Sequence, residues 1–122
     1  MKEFIVACLC AQWCGTCRDY VAMFADLQAA MPGHRYRWID IEDEADAIGD
    51  IDVETFPTLL VAYQGRVLFA GPVLPRLSDA VRLVDVQVQR VASGDRSVTG
   101  ALPADQLAAF HDLAHKLSLK PE

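Results

Sequence analysis

Four cysteines, Cys8, Cys10, Cys14 and Cys17, lie in one short stretch near the start of the chain, and no other cysteine follows. Cys14 and Cys17 frame the tetrapeptide Cys14-Gly15-Thr16-Cys17, with Trp13 immediately ahead of it. Two thiols at this spacing can close a small disulfide and open it again. The species that attacks a disulfide is the thiolate, so the chemistry needs a place where a thiol ionises easily. A helix N-terminus is such a place, because its partial positive charge favours the anion. It can draw a thiol from an ordinary pKa of about 8.5 into a range of about 3.5–7.5. A C-x-x-C that follows a strand and opens a helix therefore reads as a redox site.

The neighbouring elements supply that context. Phe4 to Ala11 is a continuous apolar run and predicts a buried strand. The helix after it starts near Cys14, with Tyr20, Val21, Phe24, Leu27 and Met31 as its apolar face, and ends at Pro32-Gly33. Tyr36 to Ile41 alternates and predicts a second strand, parallel to the first across a helical crossover. Glu44 to Ile51 predicts a short helix. Pro57 opens a third strand, Thr58 to Tyr63, where a missing N–H breaks no ladder bond. Gln64-Gly65 turns it into a fourth, Arg66 to Ala70, which Gly71-Pro72 stops. Helical spacing returns from Leu77 to Val91, and Asp95 to Gly100 reads as a loop. Pro103 starts a last helix with Leu107, Phe110, Leu113, Ala114 and Leu117 on one side.

The 122 residues suffice for one domain with a single core. Hydrophobic residues make up 52% and charged residues 23%, a globular composition. Eleven basic against seventeen acidic side chains leave a net charge of -6, which argues against nucleic acid or an anionic membrane as partner. The acidic residues concentrate between Asp40 and Glu54, and the plain reading of that run is a solvated face. No apolar segment approaches the roughly 20 residues that span a bilayer. With no export signal ahead of the first strand, the expected location is the cytoplasm, or the periplasm if a signal has been removed. Clustered cysteines favour redox chemistry or a metal over a disulfide-stapled scaffold.

Three segments together resemble the thioredoxin superfamily over about residues 4–94. Ala11-Gln12-Trp13-Cys14-Gly15-Thr16-Cys17 is similar to the family's A-x-W-C-G-P-C. Asp40-Ile41-Glu42 ends the second strand at the family's spacing. Thr55-Phe56-Pro57-Thr58-Leu59-Leu60 is similar to its x-P-T-L segment. The resemblance implies a thioredoxin-like α/β fold: a mixed four-stranded sheet flanked by helices, with a core over about 3–94. The family's first strand and helix are missing. The added helix, about 103–118, takes over surface that this unit would cover. The family's site residues carry over position by position. Cys14 is the more exposed nucleophile and Cys17 the resolving thiol. Pro57 resembles the cis-proline that faces them. The backbone at Phe56 pairs with a substrate chain as an added strand, and Trp13 forms an apolar shoulder. Gly15 and Thr16 complete the motif, with Thr16 where thioredoxins proper have Pro. Further departures are Cys8 and Cys10 in place of a buried Asp and a Trp, and Trp38 in place of the lysine that partners that Asp.

Cys8 and Cys10 point to one face of their strand. The plain reading is two small buried hydrophobes. The sharper one is that Cys10 approaches Cys17 and joins the redox cycle. A third reading gathers all four thiols around zinc or an iron–sulfur cluster, against an irregular C-x-C-x3-C-x2-C spacing. His34, His111 and His115 suggest no catalytic or ligand set, and His111 and His115 read as solvated. The expectation is a monomeric thiol–disulfide oxidoreductase without a bound cofactor or metal. It reduces or exchanges protein disulfides, with electrons from a reductase or another thiol protein. A redox-sensitive binding module with little turnover is the alternative from another class.

Overall fold

The structure, a computed structural model, describes residues 4–11, 15–49, 51, 57–74, 76–100 and 104–119. Trp13, Cys14, Phe56, the Phe56–Pro57 bond and Pro103 lie outside these residues. The elements run β1 (Ile5–Cys10), α1 (Gly15–Ala30), β2 (Arg35–Asp40), α2 (Ala45–Ile48), β3 (Thr58–Tyr63), β4 (Arg66–Pro72) and α3 (Leu77–Ala92). A short 3-10 turn (Ala104–Gln106) then leads into α4 (Leu107–Leu119). The strand order is β2-β1-β3-β4. β1 pairs parallel with β2 and antiparallel with β3, and β3 pairs antiparallel with β4. This is the mixed four-stranded sheet flanked by helices that the element order predicts.

β1 is interior, and all six of its residues are buried. Side chains of a strand alternate between faces, so its residues divide between two cores. Phe4, Val6, Cys8 and Cys10 pack with Tyr20, Phe24 and Leu27 of α1 and Val84 and Val91 of α3. Ile5, Ala7 and Leu9 pack on the other face with Ile48, Ile51, Phe110, Leu113 and Leu117. α4 thus closes the second face of the sheet. Each large apolar side chain fully buried there contributes about 1.5–3 kcal/mol. Without α4, Ala7, Leu9, Leu60 and Ala62 would lose their cover.

Several boundaries differ from the sequence reading, each for a local reason. The buried stripe of α1 is Cys17, Tyr20, Phe24 and Leu27, and Val21 is 54% exposed. At about 100° per residue, Tyr20, Phe24 and Leu27 fall to one side of Cys17 and Val21 to the other, which sets Val21 at the edge of the stripe. α2 is only four residues long, because Gly49 turns the chain with φ of 58°. Ile51 is buried after that turn rather than on the helix. β4 continues through Gly71 and Pro72, which pair with Leu59 and Thr58. The hairpin turn has positive φ at both central residues, 54° at Gln64 and 77° at Gly65. Those values suit the right-handed twist of the strands, and the Gln64 amide oxygen accepts a bond from Arg96. The 95–100 segment is more than a loop. Thr99 bridges to Phe69 and exchanges backbone bonds with Leu68 and Ala70, covering part of the free edge of β4. No helix among the described residues is long and apolar enough to cross a membrane.

Candidate active site

Cys10 is the last residue of β1, and α1 starts five residues later at Gly15. The first turn of α1 therefore lies beside the end of β1. Cys17, in that turn, begins the buried stripe of the helix and faces the sheet. The two elements bring Cys10 and Cys17 to a Cα separation of 5.7 Å, and their sulfurs form a disulfide. That separation lies within the usual range of about 4.4–6.8 Å for such a bond. Both residues are 1% exposed. The plain reading of Cys10 as a small core side chain is thereby corrected, because it is the bonded partner of Cys17. A four-thiolate metal site would need these two sulfurs apart.

Cys8 shares the face of Cys10 by the strand's period of two, and its sulfur stands 3.8 Å from the sulfur of Cys10. It is a free thiol with no exposed surface. Burial pushes its pKa far above the ordinary thiol value, so it stays protonated at neutral pH. An inert, desolvated thiol is a poor nucleophile. Tyr20, one helical turn after Cys17, brings its phenol to the same core. Its hydroxyl is buried without a hydrogen-bond partner among the described residues. Burial, and after it the nearby Cys8, push its pKa up to about 12. Sequence reasoning placed Tyr20 on the apolar face and missed the hydroxyl. Periodicity places a side chain on a face but says nothing about what its polar tip meets.

Trp38 pairs in register with Cys8 and packs edge-on to Phe24 with ring centroids 5.9 Å apart. With a thiol at position 8 and an indole at position 38, this pair of facing positions holds no acid–lysine pair. Beside Cys17 opens a pocket of ≈ 250 Å³, lined by Ala11, Arg18, Val21, Trp38, Asp40 and Asp43 as well as Cys17 itself. Asp40 shapes its rim by accepting bonds from the backbone N–H groups of Glu42 at 2.9 Å and Asp43 at 3.1 Å. The acidic run is thus partly structural, since Glu44 also pairs with Arg37 at 2.9 Å.

Pro57 is buried, and its carbonyl accepts a bond from Val73 N–H at 3.1 Å. Thr58, the residue after Pro57, pairs with Leu9, the residue before Cys10. Gly15 and Thr16 form the exposed start of α1. The histidines lie elsewhere. His34 accepts from Phe4 N–H at 3.2 Å, and His111 from Val67 N–H at 3.3 Å. His111 is therefore a half-buried backbone acceptor rather than a solvated side chain, whereas His115 is exposed. No group of three or more potential ligand residues gathers among the described residues.

The thioredoxin family model matches residues 1–73. Thioredoxin H1 of Arabidopsis thaliana is 28% identical over 67 residues, which are 55% of this chain and 59% of that protein. Thioredoxin H-type 2 of Nicotiana tabacum is also 28% identical over 67 residues, 55% of this chain and 57% of that one. The chain therefore spans less than two thirds of the length of these relatives. Among solved structures, Fasciola hepatica thioredoxin superposes with a TM-score of 0.63 at 20% identity, covering 70% of this chain and 82% of that one. Oxidised mitochondrial thioredoxin 3 from Saccharomyces cerevisiae gives 0.60 at 19% identity, covering 70% and 80%. At these identities the structural likeness is one of fold.

Proposed function

The chain belongs to the thioredoxin family, and from that premise we propose that it reduces or exchanges protein disulfides through Cys14 and Cys17. The thiolate of Cys14 attacks one sulfur of the substrate disulfide and expels the other as a thiolate. Cys17 then attacks the mixed disulfide at the Cys14 sulfur and releases the second substrate thiol. Two electrons pass to the substrate, and Cys14–Cys17 is left as a disulfide. An external reductase or thiol protein restores the dithiol. The substrate chain lies along Phe56 and Pro57 as an added strand, with the Phe56–Pro57 bond cis and Trp13 as an apolar wall. The reducing cytoplasm is the compartment that suits this direction of electron flow.

The observation that carries this reading is the place of Cys17. It sits in the first turn of α1, faces the end of β1, and bonds there to Cys10, which supports a thiol–disulfide role for its sulfur. The partial positive charge of the helix start favours an anion there. The test is insulin reduction with a dithiol donor. The unaltered chain turns over, and Cys14→Ser abolishes turnover. Cys14 is also the first thiol to alkylate at neutral pH. If Cys14→Ser keeps most of its rate and Cys17 alkylates first, the roles are wrong. A chain that binds partners but never turns over insulin would be a redox-sensitive binding module.

A further inference from the structure

We propose that Cys17 is a pivot with two partners: after resolving onto Cys14 it passes to Cys10, and the oxidised protein rests with a buried Cys10–Cys17 disulfide and a free Cys14 thiol. The inference rests on the roles of Cys14 and Cys17 given above. It adds a third thiol, Cys10, to a cycle that otherwise uses two.

The geometry of the shared sulfur carries it. Cys10 and Cys17 are joined across the gap between the end of β1 and the first turn of α1. Cys14 is three residues before Cys17 and immediately before the first residue of α1. One sulfur thus has a strand partner and a motif partner, and it can bond only one at a time. The exchange is a single displacement. The Cys10 sulfur attacks the Cys17 sulfur of a Cys14–Cys17 disulfide. The Cys10–Cys17 bond forms, the Cys14–Cys17 bond breaks, and Cys14 leaves as a thiolate. No electrons enter or leave the protein. The proton of Cys10 departs to water, and the pocket lined by Cys17 and by Ala11, the residue after Cys10, gives water a place close by.

Direction follows from solvation. A reduced Cys10 is an almost fully buried thiol beside the buried thiol of Cys8. Such a sulfur is poorly placed to carry charge. Bonding it to Cys17 removes that demand. It frees Cys14, which has the start of α1 next to it, where the helix favours a thiolate. A good leaving thiolate departs readily, and a buried disulfide is shielded from outside thiols. Cys8 does not take the role of Cys10, because it lies two residues back from the strand end and the sulfur of Cys17 is bonded to Cys10. In this resting state Cys14 can still form a mixed disulfide with a partner, but Cys17 is not free to resolve it. The consequence is a covalent hold on the partner until a thiolate of the external reductase or thiol protein attacks the Cys10 sulfur and expels Cys17 as a thiolate, which then attacks the Cys14 sulfur and releases the partner.

The test uses the full chain. The reduced protein is incubated with excess insulin, quenched in acid, and its free thiols are blocked with a maleimide in denaturant. Chymotrypsin, which cuts after Trp13, then separates the Cys8/Cys10 fragment from the Cys14/Cys17 fragment. Mass spectrometry without reduction reads the links. The expected result is that most oxidised chains carry a Cys10–Cys17 link across the cut, with the maleimide or a disulfide-linked insulin peptide on Cys14. In Cys10→Ser the cross-cut link disappears, and in Cys8→Ala it persists. A Cys14–Cys17 link with blocked Cys10 overturns the pivot and leaves the proposed exchange reaction standing. Four blocked thiols overturn both. A cross-cut link that survives in Cys10→Ser also overturns the assignment to Cys10.

Discussion

The sulfur of Cys8 lies 3.8 Å from the sulfur of Cys10, two residues along one face of β1. The two differ in chemistry despite that closeness. Cys10 sits at the strand end, where α1 returns, and is bonded to Cys17. Cys8 is one pleat deeper, in the core that holds Tyr20 and Trp38. A helix turn set over a strand end reaches the terminal residue and not the one before it on the same face.

Position 8 is closed to charge. In Cys8→Asp, a carboxylate without a partner would be desolvated at a cost of at least a few kcal/mol, or would take up a proton. Cys8→Ala only removes a small buried group, at a cost of about 1–2 kcal/mol. The urea midpoint at neutral pH should therefore be lower for Cys8→Asp than for Cys8→Ala. The buried acid has a folded-state pKa above the unfolded value of about 3.9. Its protonated form is compatible with the fold below that value, and stability is lost as pH rises through the folded pKa. The gap between the two variants should widen over that rise. Equal midpoints at neutral pH would mean that water reaches position 8.

Tyr20 carries a buried hydroxyl with no partner among the described residues. Leaving such a group unmade costs about 1–3 kcal/mol, whereas replacing it by an apolar group of the same shape can be neutral or stabilising. Tyr20→Phe should hold or raise the urea midpoint. A loss of more than about 1 kcal/mol would show that the hydroxyl has a partner in solution.

Trapping separates attack from resolution. With Cys17→Ser, Cys14 still attacks a substrate disulfide, but nothing resolves the product. A stable mixed disulfide with insulin chains should accumulate, visible as a reducible shift in mass. Turnover should fall by roughly two orders of magnitude or more, as expected when one member of a two-step exchange is lost. A Cys17→Ser variant that turns over and traps nothing would move the resolving role to another thiol.

Arg90 organises the chain after α3. It pairs with Asp95 at 3.2 Å and donates to Gln87, Ser97 and Thr99. The guanidinium, followed by the amide and hydroxyl of Ser97, holds the Asp95 carboxyl well below the usual carboxylate range. A depressed acid contributes stability that is present above the unfolded pKa of about 3.9 and is lost as pH falls toward the folded value. The Thr99 amide, bonded to Leu68 O at 2.9 Å, reports on that segment. Its exchange protection should be unchanged from neutral pH to about 4 and should weaken below it. Arg90→Ala should remove the protection at neutral pH. Full protection in Arg90→Ala would mean that the Thr99 bridge needs no anchor.

Local pattern alone decided much of this protein. The apolar run of β1, the Gln64-Gly65 turn and the spacing of Phe110, Leu113, Ala114 and Leu117 each depend on neighbours a few residues away, and all appear as read. The segment Ala11 to Cys17, Asp40-Ile41-Glu42 and the segment around Pro57 together indicated the family. Tertiary structure decided what depends on two elements meeting. Cys10 became a partner of Cys17 because α1 returns over the end of β1, which no periodicity encodes. Val21 went to solvent because the buried stripe of α1 is set by the sheet it faces. The 95–100 segment became a cover for β4 because Arg90, on another element, holds it there. A sequence pattern fixes which face a side chain takes, while contact depends on the distance between faces, and that distance is set only when the whole core packs.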